Sequence, residues 1–167
     1  MKRLVVCLML AACAGKPVQE PVFRGVGTPI YSIAALRADQ ISGHWVQVAT
    51  FAPGGQPACG AGSVDIAAGL ARWDLCLASG EVAGSGPMTA TSAGRFDLKG
   101  MPSWWVLWAD TDGRTLVVGT PDGSIGFVLN RDAAIPADRL RAARDILQFN
   151  HYDLRAMAVF QSSLQKT

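Results

Sequence analysis

The chain has 167 residues, half of them hydrophobic, which is the size of a single buried core. Only 17% are charged, and setting aside Lys2 and Arg3 of an apolar leader leaves 13 basic residues against 13 acidic ones. That neutrality excludes an electrostatic footprint for nucleic acid and a polybasic patch for anionic lipid.

The leader pairs Lys2-Arg3 with the apolar run Leu4 to Leu10, which has signal-peptide length and is far too short to span a bilayer. It ends in Leu10-Ala11-Ala12-Cys13, which resembles a bacterial lipobox. The resemblance implies a lipoprotein signal peptide over 1–12 and a diacylated Cys13 that holds the protein on a membrane. Each buried methylene of such a chain contributes about 0.8 kcal/mol. An ordinary signal peptide with a Cys after its cleavage site is the alternative. Ala14 stands where an Asp implies inner-membrane retention, so Gram-negative sorting rules point to the outer membrane, periplasmic side. Residues 13–32 carry Pro17, Pro21, Pro29 and several Gly, and read as a lipidated N-terminus and flexible tether.

A domain is expected over 33–161. Ile33 to Gln40 suits a short helical turn. From Gly43 the pattern changes to short runs bounded by Gly, Pro and Asp, the signature of an all-β barrel or sandwich. Strands are predicted at His44–Phe51, Gly60–Ile66 and Leu70–Leu77, where Ala71, Trp73, Leu75 and Leu77 alternate with polar residues. A weak strand follows at Pro87–Thr91, then Arg95–Lys99 and Ser103–Ala109. Thr115–Gly119 and Ser124–Asn130 form a hairpin around Pro121-Asp122-Gly123. Pro136 suits the first turn of one helix whose Leu140, Ala143, Ile146 and Leu147 share a stripe. A ninth strand, Met157–Phe160, closes the order, and 162–167 are a tail. An eight-stranded antiparallel up-and-down barrel with one helix outside is the expected architecture. Such a barrel is filled by side chains or holds one small ligand.

Of four cysteines, Cys7 leaves with the leader and Cys13 takes the lipid. Cys59 and Cys76 remain, flanking a turn at Ala67-Ala68-Gly69. Export makes a disulfide between them available, the alternative being two buried free thiols.

Gly43-His44-Trp45 on the first strand resembles the G-x-W signature of lipocalins. Asp110-Thr111-Asp112 at a turn between strands is similar to that family's second block, with Asp112 in the signature set. Arg131, directly after Phe127-Val128-Leu129-Asn130, falls where lipocalins place an Arg over the first-strand Trp. With the lipobox, the chain is most similar to outer-membrane bacterial lipocalins. The resemblance implies that Gly43, Trp45, Asp112 and Arg131 hold the fold, the Arg by stacking on the indole face.

No catalytic constellation is apparent, and no cofactor or metal is expected. His44 and His151 are far apart and lack ligand-spaced partners, and no Ser sits in a nucleophile elbow. The expected partner is a small hydrophobic ligand, such as a fatty acid or lysophospholipid, and the resemblance implies a role in lipid storage, scavenging or transport in the envelope. Alternation alone assigns its lining to Phe51, Trp73, Leu75, Phe96, Trp108 and Phe127. The rival reading is a packed interaction or protease-inhibitor barrel without a small-molecule ligand.

Overall fold

The computed structural model describes residues 21–160. The predicted signal peptide, Cys13, the first part of the tether and the tail lie outside the described residues.

Among the described residues, nine strands form one antiparallel sheet: β1 (Gly43–Phe51), β2 (Ser63–Ala67), β3 (Leu70–Leu77), β4 (Gly80–Ser92), β5 (Arg95–Leu98), β6 (Trp104–Ala109), β7 (Thr115–Gly119), β8 (Gly126–Asn130) and β9 (Met157–Val159). Their order is β2-β3-β4-β5-β6-β7-β8-β1-β9, and β2 also pairs with β1, so the first eight strands close into a barrel. β9 bonds to the outer part of β1, at Ala49 to Phe51. The helix α1 (Ala137–Phe149) packs outside β6 and β7 and buries Ala143 and Leu147 there.

Closure produces two apolar cores. Trp45, Trp73, Leu75, Phe96, Trp104, Leu116 and Phe127 belong to the cluster inside the barrel. Phe51, Val117, Val128, Ala143, Leu147 and Tyr152 belong to the cluster between barrel wall and helix. Both faces of β7 and β8 are therefore buried, which is why these strands read as continuous apolar runs.

β4 is 13 residues long, where the sequence suggested a weak strand of five. Its first half pairs with β3 (Leu77 opposite Gly80 through Leu70 opposite Pro87), and its second half pairs with β5. Serving both neighbours requires the length. The hydrophobic alternation is faint because Gly84, which faces the barrel interior, carries no side chain. Trp73 lies opposite Gly84, and a Cβ there would stand 2.6 Å from the indole Cζ2. The aromatic ring occupies the volume that the glycine leaves.

One end of the barrel is plugged. A short turn at Ala38–Ile41, later in the chain than the expected 33–40, leads into β1. Ile41 is buried, and its carbonyl accepts the Trp45 indole N–H at 2.8 Å. The Arg131 guanidinium carbon lies 3.5 Å from the Trp45 ring centroid. Its Nη1 donates to His44 O (2.9 Å), Nη2 to Ser42 O (2.8 Å) and Nε to Gly113 O (3.3 Å). Burial, and then the neighbouring Arg114, lower the Arg131 pKa. Gly43 has φ +108°, and a Cβ there would meet Arg131 Nη1 at 2.8 Å, so both its conformation and the space demand glycine. In the β6–β7 turn, Asp110 carries the structural role: it accepts the backbone N–H of Arg114 (2.6 Å) and Thr115 (2.7 Å). Asp112 is largely exposed, 3.6 Å from Arg139.

Cys59 and Cys76 form a disulfide with Cα atoms 5.5 Å apart. β2 begins only at Ser63, so beyond it β1 faces β3 directly. The Gln47 amide spans that gap: Nε2 donates to Cys76 O and Oε1 accepts from Cys76 N, both at 2.8 Å. Thr50 Oγ1 also donates to Cys76 O at 2.7 Å. A side-chain amide thus replaces a missing stretch of backbone ladder, and the bridge pins the β1–β2 loop to it.

The expected flexible tether is corrected for its described part, 21–32, which lies against the barrel. Phe23 is buried; its N–H donates to Gly123 O, and its carbonyl accepts from Asp153 N, both at 2.8 Å. Arg24 is 5% exposed and gives its N–H groups to the carbonyls of Asn150, Pro121, Thr28 and Pro29. Pro and Gly suggested looseness, but one aromatic and one arginine side chain supply enough contacts to seat the strap. Among the described residues, no helix is long and apolar enough to cross a membrane.

Candidate functional site

The β3–β4, β5–β6 and β7–β8 connections gather at the end of the barrel opposite the Trp45 plug. The β3–β4 turn brings Leu77, Ala78 and Ser79, and β4 adds Val82. The β5–β6 loop brings Gly100, Met101 and Pro102, the β7–β8 loop brings Ser124 and Ile125, and the strap adds Pro21. Together they line a largely apolar cavity of about 460 Å³. No charged side chain among the described residues lines it. Turn positions are ordinarily polar, so Met101, Pro102 and Ile125 were a legible signal that sequence reasoning passed over.

Below this mouth stand the interior aromatics. Trp104 and Phe127 meet edge to face with centroids 5.2 Å apart. Trp104 opens β6 directly after the rim loop, and Phe127 is the second residue of β8. Of the six side chains assigned to a ligand, Trp73, Leu75, Phe96 and Phe127 face this interior. Phe51 and Trp108 do not. Phe51 lies outside the wall against Phe23 (5.7 Å) and Tyr152 (5.0 Å), and Trp108 packs beside the helix.

Both corrections have one cause. The β1–β8 register shifts between Gln47 and Ala49, and the β6–β7 register shifts between Val106 and Trp108. A bulge inserts one residue and reverses the alternation beyond it. Counting by twos from Trp45 puts Phe51 inside, and counting from Trp104 does the same for Trp108. Each is turned outward by the bulge before it. Trp104, absent from the assigned lining, is the aromatic that β6 does place inside.

The rim is held by polar contacts from behind. Tyr152 Oη donates to Ile125 O and accepts from Thr120 N, each at 2.8 Å. Burial pushes its pKa up to about 12. Asp122 is also partly buried, which by itself raises its pKa. Hydrogen bonds from Thr120 and Ser124 outweigh that and hold the carboxyl below its usual range. Its Oδ1 accepts from Ser124 N (3.0 Å) and Oγ (2.8 Å).

A second hollow of about 340 Å³ between the β6–β7 turn and the helix is polar, with Asp110, Asp112 and Asp138 around Arg139. Arg139 lies 3.2 Å from Asp110 and neutralises part of that charge. Among the described residues, no group of three or more His, Cys, Asp or Glu side chains is placed to hold a metal.

A family model described as a lipocalin-like domain matches residues 88–162, from the end of β4 through β9. No curated protein matches the chain. Among solved structures, lipocalin 12 from rat epididymis is similar at 11% identity with a TM-score of 0.59, the match covering 86% of this chain and 93% of that one. The cockroach major allergen Per a 4 is similar at 11% identity and TM-score 0.56, covering 83% and 94%. Insecticyanin from the tobacco hornworm Manduca sexta follows at 10% identity and TM-score 0.55, covering 84% and 89%. At these identities the likeness is one of fold. A closed eight-stranded antiparallel barrel, one helix and an extra strand bonded outside make the lipocalin fold.

Proposed function

We propose that this lipocalin-fold chain is a carrier of small hydrophobic molecules, tethered to the outer membrane through an acylated Cys13 and taking its ligand at the open end of the barrel. The observation that carries this reading is the 460 Å³ apolar mouth above an aromatic interior. Uptake there is hydrophobic transfer, worth about 25 cal/mol per Å² of apolar surface removed from water. No bond is made or broken in such uptake, and among the described residues the mouth offers no paired acid and base. The tether enters at the same end: Pro21, eight residues after Cys13, lines the mouth. An extended chain spans at most about 3.5 Å per residue, so an anchor at Cys13 keeps the opening within roughly 30 Å of the bilayer.

Native mass spectrometry of the exported protein carrying Cys13→Ser, with extraction of bound lipid, tests the carrier reading. A stoichiometric apolar companion supports it. An apo mass that persists after incubation with fatty acids, lysophospholipids and neutral lipids would sink it. The result would then favour the packed interaction barrel, a rival supported by how completely Trp45, Phe96, Trp104 and Phe127 are buried in the interior. Metabolic labelling with a radioactive fatty acid tests the anchor, which requires label on the natural chain and none on Cys13→Ser.

A further inference from the structure

Three tryptophans face the barrel interior, and each is at most 4% exposed. Trp45, at the plugged end, gives its indole N–H to Ile41 O. Trp73 and Trp104 are different: each indole Nε1 is buried with no acceptor among the described residues. A buried donor without a partner forfeits the hydrogen bond it made in water, and native interiors hold few of them. Of the two unpaired donors, Trp104 lies at the open end of the barrel and Trp73 deeper, toward the plug. Trp104 follows the rim loop directly, whereas Trp73 lies four residues below Leu77 on β3, in the row Trp45–Val64–Trp73 that runs across from the plug.

Their surroundings restrict what can serve them. The inner cluster is apolar, and the mouth is lined by no charged side chain among the described residues. An ionised carboxylate at this depth would leave water without meeting a cation. A plain hydrocarbon would fill space but leave both donors unbonded. The Phe127 ring, set at 76° to the Trp104 ring, offers at best a weak aromatic acceptor.

We infer that the ligand is an uncharged molecule with an oxygen acceptor, a carbonyl or an ether, which enters first and accepts the Trp104 N–H. This rests on the mouth being a ligand site. It narrows the ligand from any apolar molecule to a neutral, acceptor-bearing one, and it disfavours a fatty acid that binds carboxylate first.

Three probes of one skeleton test it on the exported Cys13→Ser protein: butylbenzene, butyrophenone and 4-phenylbutyrate. Affinities are measured by NMR titration for Cys13→Ser alone and with Trp104→Phe or Trp73→Phe added. Butyrophenone moves the Trp104 indole N–H resonance downfield, and butylbenzene does not. The butyrophenone-to-butylbenzene affinity ratio falls about tenfold in Trp104→Phe, equivalent to about 1.4 kcal/mol. At neutral pH, 4-phenylbutyrate binds at least about tenfold more weakly than butyrophenone. The indole shift needs no core substitution, so it stands even where a variant folds poorly. An affinity ratio equal in all three proteins, with both indole resonances unmoved, would overturn the inference and leave the carrier reading intact. Failure of all three probes to bind would overturn both.

Discussion

Replacing Arg131 with Ala removes two kinds of contact at the plugged end. The guanidinium stacked 3.5 Å from the Trp45 ring is partly exposed, which places the stacking contribution near 1 kcal/mol, between exposed and desolvated values. Its three N–H bonds to the carbonyls of Ser42, His44 and Gly113 add about 0.5 kcal/mol each at this half-exposed rim. The expected loss is about 2.5 kcal/mol, read as a shift in urea midpoint at unchanged slope, with a fall in Tm of roughly 8 °C. Gly43 supplies an internal check. Gly43→Ala forces a Cβ to 2.8 Å from Nη1 at a φ of +108°, so part of its cost is collision with Arg131 and part is backbone strain. In an Arg131→Ala background the collision disappears, and Gly43→Ala costs at least about 0.5 kcal/mol less than in the natural chain. An Arg131→Ala protein within 0.5 kcal/mol of the parent, or a Gly43→Ala cost equal in both backgrounds, refutes the reasoning.

Three further outcomes follow from the geometry. The Cys59–Cys76 bridge has a sequence separation of 17, so replacing both residues with Ala lowers stability by about 3 kcal/mol in the chain-entropy model. Dithiothreitol should destabilise the parent in urea titrations and leave that variant unchanged. Tyr152 has a phenol held near pKa 12 by burial against an ordinary 10, so folding favours its neutral form. That stability is intact below pH 10 and is lost as pH rises through 12, about 3 kcal/mol in all. Urea midpoints taken from pH 9 to 12 should fall more steeply in the parent than in Tyr152→Phe. Gly84→Val drives a side chain into the Trp73 ring, which a Cβ alone would approach to 2.6 Å. After allowing for the better strand propensity of valine, a net loss of about 2 kcal/mol and a changed tryptophan emission are expected. A fully stable valine variant would show that Trp73 does not rest on that glycine.

Much of this molecule is decided within a few residues of chain. Alternation marked β3 and β5, the Pro-Asp-Gly turn joined β7 to β8, and the stripe of Leu140, Ala143 and Leu147 marked α1. Each is a local pattern with a period of two or 3.6, so each survives reading in one dimension. The Trp45–Arg131 plug was also legible, since a small set of spaced residues carried it.

What escaped was non-local. β4 owes its length to two neighbours that it pairs with in succession, and its Gly84 is explained by an indole on another strand. Docking of the strap through Phe23 and Arg24 depends on carbonyls more than 90 residues away. Above all, two bulges decided which aromatics line the barrel. A bulge of this kind needs no particular residue, because it relieves the strain of coiling a sheet into a closed cylinder. The sequence determined which residues are apolar and in what order. Which side of the wall Phe51, Trp104 and Trp108 occupy was settled only when the barrel closed.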